Sequence, residues 1–174
     1  MFDWEPSKKW ADKFINEIKC LLGCHLIGEP PSCEDCEHNT DLIVLKMEPV
    51  RIACRIRKYQ YFQKYAGEFT IRCARPTKAK TELAKIMEGW GDYLFYGFAN
   101  ESETSLCLWR IIDLKSFRLW LYRYMNKHDG LLPGELKKNL DGSSDFYSFR
   151  FANGPEDLVF ARSEEHTSEL QSRI

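Results

Sequence analysis

An aspartate at the start of a predicted strand is the first residue with which this chain could do chemistry. Asp41 precedes the apolar residues of "TDLIVLKMEPVRIACRIRK", which runs from Thr40 to Lys58. Hydrolysis of a phosphodiester requires a hard divalent cation, Mg²⁺ or Mn²⁺, that a few carboxylates hold beside the phosphate and a water molecule. A strand end is a place where such a site can open, so Asp41 is a candidate first metal ligand. The alternative is an aspartate that only caps a turn.

The second half of the same stretch carries arginines in place of carboxylates. Strand alternation over residues 50–58 places Arg55 and Arg57 on one face. A guanidinium binds phosphate through two parallel hydrogen bonds, so these side chains, together with Arg72, are predicted to form a cationic face for a nucleic-acid backbone. The basic residues of this predicted surface are Arg55, Arg57, Arg72, Lys78, Lys80 and Lys85. The aromatic residues 59–62 could stack on exposed bases or pack in the core.

Cysteine and histidine spacing suggests a second kind of metal site. Cys33, Cys36 and His38 have the spacing of a zinc knuckle, and Cys24 lies shortly before them. These four side chains could hold a structural Zn²⁺ in tetrahedral geometry. The chain has 7 cysteines, an odd number, and its N-terminus shows no secretory pattern. Reduced thiols without a metal are therefore the alternative, and a disulfide framework is not expected.

The elements that must position these residues follow from hydrophobic periodicity. Trp10, Phe14 and Ile18 recur at helical spacing, whereas later apolar runs favour strands. Helices are predicted over residues 7–22, 80–88 and 114–125, and strands over residues 41–46, 50–58, 68–72, 93–99, 106–113 and 145–151, the last as an edge strand. The stretch from His128 to Ser144 is predicted to be a loop. The resulting fold class is α/β, with the core order αβββαβ and a mixed sheet flanked by helices.

This order and three of its segments resemble the PD-(D/E)xK nucleases, and in particular the Holliday-junction resolvases. The stretch from Thr40 to Lys58 is similar to their motif hairpin. "TELAKIMEGWGDYLFYGFA" looks like the helix and strand that follow in that family, and "WADKFINEIKCLLG" like its first helix. The resemblance covers roughly the first two-thirds of the chain. It implies a restriction-endonuclease-like core, DNA as the partner and a divalent cation as the cofactor.

The resemblance also exposes a departure from the family motif. Arg57 falls where the family has its lysine, and Arg55 falls where it has its glutamate. The first exchange keeps a cation near the phosphate, whereas the second removes a ligand, because an arginine has no acceptor atom. If the resemblance holds, the standard second metal ligand is missing from the hairpin.

Three other acids could replace that ligand. Glu68 begins the third strand and is predicted to share a face with Arg72, across from Arg55. Glu82 begins the second helix, a position to which related restriction enzymes have shifted their acid. Asp12 matches the acid of the family's first helix, with Glu17 as a less well aligned alternative. The structural alternatives are a cross-strand pair for Glu68 and a helix-dipole contact for Glu82.

Composition limits where a nucleic-acid site can be. The formal net charge of the 174-residue chain is -1, from 25 basic and 26 acidic residues, so any such site must be local. No apolar stretch is long enough to span a bilayer, which predicts a cytoplasmic protein with no membrane contact. One domain is expected over residues 1–161, with a homodimer as one assembly. The remaining residues 162–174 look like a translated sequencing adapter and are expected to form an artefactual, disordered tail.

Two functional hypotheses follow. One is a divalent-metal-dependent DNA endonuclease or resolvase of phage or mobile-element origin, with Asp41, Glu68, Arg57, Glu82 and Asp12 as candidate catalytic residues. The other is a noncatalytic nucleic-acid-binding protein on the same fold. An unrelated α/β protein with an interaction role is a third alternative. Convergence of Asp41 and Glu68 with Glu82 or Asp12 would favour the endonuclease.

Overall fold

The computed structural model describes residues 9–10, 12–23, 27–28, 43–44, 50–77, 79–139 and 141–163. Helices are α1 (Ile15–Gly23), α2 (Phe62–Tyr65), α3 (Glu82–Met87) and α4 (Leu114–Lys127). Strands are β1 (Ile27–Gly28), β2 (Ile43–Val44), β3 (Ile52–Arg57), β4 (Glu68–Ala74), β5 (Tyr93–Ala99), β6 (Leu106–Asp113), β7 (Glu135–Lys138), β8 (Asp145–Arg150) and β9 (Val159–Arg162). The protein is therefore of the mixed α/β class, as its periodicity predicts.

The central sheet has the strand order β3-β5-β6-β9. Strands β3 and β5 run parallel, whereas the pairs β5-β6 and β6-β9 are antiparallel, so the sheet is mixed as predicted. Strand β5 is buried along most of its length because both faces of the sheet are covered. Phe14 and Ile18 of the N-terminal helical segment cover one face, packing in a cluster with Phe95 and Trp109.

A second sheet is antiparallel and has the order β4-β8-β7. Its buried residues pack in one core cluster with residues of β5 and β6 from the central sheet. Phe69 of β4 stacks on Phe149 of β8, with ring centroids 5.3 Å apart, and contacts Phe117 of α4 edge to face. All three rings are fully buried. Helix α4 also buries Leu114 and Leu121 in this cluster. The aromatic cluster thus joins the second sheet to α4 and to the central sheet.

Capping residues fix where α3 and α4 begin. The Thr81 hydroxyl accepts a hydrogen bond from the backbone N–H of Ala84 at 3.4 Å, so Glu82 falls in the first turn of α3. The Asp113 carboxylate accepts from the backbone N–H groups of Lys115 and Ser116 at 2.7 and 2.9 Å. Within the described part of the chain, no helix combines the length and apolar character needed to cross a membrane.

Strand pairing differs from the predicted hairpin among the described residues. Ile43–Val44 pairs with Ile27–Gly28, and the sheet neighbour of Ile52–Arg57 is β5. Asp41 itself lies outside the described residues. The third predicted strand, β4, does not extend the central sheet but pairs with β8 in the second sheet. Pairing with β8 buries the apolar side chains of Phe69 and Ile71 in one cluster with Phe149, and this burial stabilises the second sheet.

The C-terminal third contains more strand than its pattern predicts. Residues 145–151 were expected to form an edge strand, but β8 is the middle strand of its sheet. Strand β7 lies in a segment that was predicted to be a loop. Its sequence ELKK has no apolar alternation that would indicate a strand, and most of its residues are exposed. Strand β9 extends through Arg162, and the backbone N–H of Ser163 donates to Trp109 O at 3.0 Å. Packed structure therefore continues two residues into the predicted tail.

Phe69→Ala should lower the free energy of unfolding by about 3–5 kcal/mol, because it leaves a cavity at the junction of the two sheets. Urea denaturation followed by circular dichroism measures the change. Leu136→Ala is the matched control, since the Leu136 side chain is 52% exposed and its truncation should cost less than about 0.5 kcal/mol. Equal losses for the two variants would contradict the assignment of Phe69 to the core.

Candidate functional site

A cleft with a volume of about 880 Å³ opens between β3, β4 and the start of α3. Its lining contains seven cationic side chains and one carboxylate, that of Glu82. The cations are Arg55, Arg57, Lys58, Arg72, Arg75, Lys80 and Lys85. This surface is called the cationic cleft below. It concentrates positive charge in a protein whose formal net charge is -1.

Arg55 and Arg57 are held in place by the same residue of β4. Arg55 Nη1 donates to Thr70 O at 2.5 Å, and Arg57 Nη1 donates to Thr70 Oγ1 at 3.1 Å. Arg57 Nη1 also reaches Tyr96 Oη at 3.4 Å, and its guanidinium lies 4.5 Å from the centroid of the Tyr61 ring. Alternation along β3 puts both arginines on the face turned toward β4. These contacts fix two guanidinium groups before any ligand arrives.

Glu82 supplies the counter-charge inside the cleft. Its Oε2 accepts from Arg55 Nη1 at 3.0 Å and from the backbone N–H of Arg72 at 3.2 Å. Both side chains of the Arg55–Glu82 ion pair are partly exposed, 21% and 28%, so water screens part of their attraction. The first-turn position in α3 aims the carboxylate at β3 and β4.

The positive charge of the cleft exceeds what Glu82 neutralises. Burial lowers the pKa of Arg72, the charges of Arg55 and Arg75 lower it further, and Glu82 opposes this change. An arginine remains protonated near neutral pH even so. The lowered pKa therefore reflects burial of this guanidinium first and repulsion by the two neighbouring arginines second. A negative charge placed near these guanidinium groups would reduce that repulsion.

The remaining predicted cations lie at the rim. Lys80 forms an ion pair with Glu88, and Lys85 is exposed on α3. Arg75, which the sequence did not single out, is exposed immediately after β4 and lines the cleft. Lys58 also belongs to the lining, with its ammonium 5.5 Å from the Trp10 ring centroid. Lys78 lies outside the described residues.

Glu68 has partners other than the predicted Arg55. It accepts a hydrogen bond from Ser148 Oγ at 2.6 Å and forms ion pairs with Lys137 at 3.7 Å and Arg150 at 3.6 Å. The predicted cross-strand pair with Arg55 is wrong because β4 pairs with β8, where residue 68 faces Arg150. Glu68 is absent from the residues that line the cationic cleft.

Neither of the two N-terminal acids lines the cationic cleft. Asp12 is exposed in the helical turn that precedes α1. Both carboxylate oxygens of Glu17 accept from the backbone N–H of Leu106, at 3.0 and 3.1 Å, which ties α1 to the start of β6. Glu17 therefore has a structural role that its sequence position did not indicate.

The positions of these acids determine whether the described residues can bind a divalent cation. In the part of the chain that the structure describes, no group of three or more His, Cys, Asp or Glu side chains is arranged to hold a metal ion. Glu82, the carboxylate of the cleft, is already bound by two N–H donors. The described residues alone therefore do not fit Mg²⁺ or Mn²⁺. Asp41 lies outside them, as do the zinc candidates Cys24, Cys33, Cys36 and His38, so both metal sites remain predictions.

A second hollow, with a volume of about 460 Å³, adjoins the cationic cleft and is called the aromatic hollow below. The residues that line it are Arg57, Tyr61, Tyr65, Thr70, Lys137, Lys138, Asn139, Asp141, Phe146 and Ser148. Of these residues, Arg57 and the aromatic residue Tyr61 were singled out from the sequence. Consecutive lysines in "GELKKNL" were the available signal for the rest, but they lie in a segment predicted to be a loop.

Comparison with known proteins leaves the chain without an assigned family. No protein-family model, no curated protein and no solved structure matches it.

Proposed function

We propose that the cationic cleft binds the sugar-phosphate backbone of a nucleic acid, with DNA as the expected partner. The observation that carries this proposal is that seven cations and a single carboxylate line one cleft. A local excess of positive charge attracts a polyanion even when the whole protein is nearly neutral. Binding releases the counterions that surround the phosphates, which favours association.

The type and spread of the cations support a phosphate polymer over a single small anion. Arginine presents a planar fork that matches phosphate oxygens, and Arg55 and Arg57 hold theirs in fixed orientations. Arg72, Arg75 and Lys85 extend the charge from β4 to α3. One phosphate can engage only a few of these groups, whereas a backbone with repeated phosphates can engage them in series.

A divalent-metal-dependent endonuclease or resolvase is the second candidate. The observation in its favour is the Glu82 carboxylate, which lies beside the arginines at the helical position where the family resemblance allows a shifted acid. This hypothesis requires Asp41 to reach Glu82, and a PD-(D/E)xK relationship and a phage origin belong to it. Both candidates include a cytoplasmic location, which the free thiols of the described Cys20, Cys54, Cys73 and Cys107 support.

Arg75→Ala should weaken binding to DNA of any sequence and reduce the slope of log affinity against log salt by about 1, because it removes one phosphate contact. Fluorescence anisotropy of a labelled oligonucleotide over a salt series measures both quantities. Arg123→Ala is the matched control, since Arg123 is exposed on α4 and does not line the cleft. Binding that does not depend on salt, or equal effects of the two variants, would contradict the proposal.

Glu82→Gln separates the two candidate functions. In the absence of divalent cations it should raise DNA affinity about fivefold, because it removes a negative charge worth about 1 kcal/mol to a phosphate 4 Å away. For an endonuclease, the same variant and Asp41→Asn should abolish cleavage of branched, single-stranded or duplex DNA in Mg²⁺ or Mn²⁺. Glu101→Gln, in an exposed turn, is the control for both assays. A wild-type protein that binds all three substrates but cleaves none would contradict the endonuclease hypothesis and support the noncatalytic function.

A further inference from the structure

We propose that the cationic cleft and the aromatic hollow form one path for an unpaired nucleic-acid strand, with phosphates in the cleft and bases in the hollow. This proposal rests on the proposed function and adds a substrate class to it. It follows from three features of the described residues, which are the continuity of the two surfaces, their different chemistry and the arrangement of the tyrosine rings.

The two surfaces are continuous. Arg57 and Tyr61 line both the cleft and the hollow. A smaller space of about 150 Å³ lies between Arg55, Arg57 and Arg72 on one side and Phe146 and Asn139 on the other. A chain bound to the arginines can therefore continue toward β7 and β8 without leaving the protein surface.

The chemistry changes along this path. The cleft is lined mainly by arginine and lysine, whereas the hollow adds the rings of Tyr65 and Phe146 to that of Tyr61, which the two surfaces share. Lys137, Lys138 and Asp141 border these rings. Lys137 is paired with Glu68 and Glu135, so Lys138 is the side chain that continues the positive charge beside the rings. A cationic groove with adjacent aromatic side chains is the combination that binds unpaired strands, because phosphates follow the charge and bases stack on the rings.

The rings of Tyr61 and Tyr65 are not stacked face to face. The centroids of Tyr61 and Tyr65 are 6.3 Å apart with an interplanar angle of 43°, so the rings are tilted. Arg57 lies over the Tyr61 ring at 4.5 Å, and Lys137 lies 5.7 Å from the centroid of Tyr65. Both tyrosines are partly exposed. Lys64 also lies over the Tyr65 ring at 5.4 Å, and both rings pack in part against the core. A base that enters the hollow would therefore stack on the part of a ring that stays exposed, close to a cation.

A duplex cannot use this arrangement. Its bases are stacked on each other, and only their edges are accessible in the grooves. A duplex would therefore contact the cationic cleft through its phosphates and leave the hollow without a stacked base. An acidic peptide would also satisfy the lysines and arginines, but it would supply no flat ring for the tyrosines. The combined chemistry thus favours unpaired nucleotides.

The test compares three labelled DNA probes of one sequence in the absence of divalent cations. They are a single strand, a single strand with abasic positions throughout its centre, and a duplex. The single strand should bind about tenfold more tightly than the abasic strand, because base stacking adds to an unchanged set of phosphate contacts. The single strand should also bind more tightly than the duplex. Fluorescence anisotropy at a fixed salt concentration measures all three affinities.

Tyr65→Ala should remove most of the difference between the single strand and the abasic strand while leaving the abasic affinity and its salt slope unchanged. Tyr65→Phe should retain the difference, because it keeps the ring and the packing. Tyr122→Ala is the matched control, since Tyr122 is 45% exposed on α4 and lines neither surface. Circular dichroism verifies that each variant is folded. If Tyr65→Ala does not fold, Tyr65→Leu, which fills the space without an aromatic ring, should show the same loss.

The possible failures are distinguishable. Equal affinity for the single strand and the abasic strand would overturn the proposed path but leave backbone binding intact. Failure of all three probes to bind at low salt would overturn both proposals. Polyglutamate that competes with the single strand as effectively as unlabelled single strand does would show that charge alone is recognised, which also overturns the role of the hollow.

Discussion

The burial of Phe69 and Ile71 in β4 is the constraint on which the rest of the site depends. Because side chains alternate along a strand, fixing these two residues in the core turns Thr70 toward the opposite face. Thr70 then offers a backbone carbonyl to Arg55 and a hydroxyl to Arg57. Hydrophobic packing of one strand thus determines the positions of two guanidinium groups on another strand.

This arrangement concentrates like charges at a cost that only part of the surrounding structure offsets. Glu82 neutralises one unit of charge, and Thr70, Tyr96 and the Tyr61 ring provide polar or π contacts to the arginines. Burial lowers the pKa of Arg72, and the charges of Arg55 and Arg75 lower it further, so repulsion among these three side chains remains. This excess of positive charge is the feature on which the proposed binding of a nucleic-acid backbone rests.

The division into two sheets separates the acids that a hydrolytic site would need together. Glu68 and Glu82 begin successive elements, yet one belongs to the ion-pair network of the second sheet and the other to the cationic cleft. Each is bound to cations or N–H donors. The endonuclease hypothesis therefore requires Asp41 beside Glu82, whereas the proposed binding of a nucleic-acid backbone does not.

The sequence by itself determined the local features of this protein. Period-two alternation in β3 predicted that Arg55 and Arg57 share a face, and helical periodicity predicted α4 and the position of Glu82 at the start of α3. The α/β class and the mixed sheet followed from the same patterns. These features depend on side-chain direction and backbone preference over a few residues, which are properties of a short segment.

Only the tertiary structure decided which segments meet. The partner of β4 is β8, about 80 residues later in the chain, and this pairing moved Glu68 away from Arg55 and brought Lys137 to the hollow. Nothing in the pattern of β4 distinguishes β3 from β8 as a partner, because both are short strands with apolar residues at alternate positions. The choice was made by aromatic packing of Phe69 against Phe149 and Phe117, a contact among three distant segments that no local signal encodes.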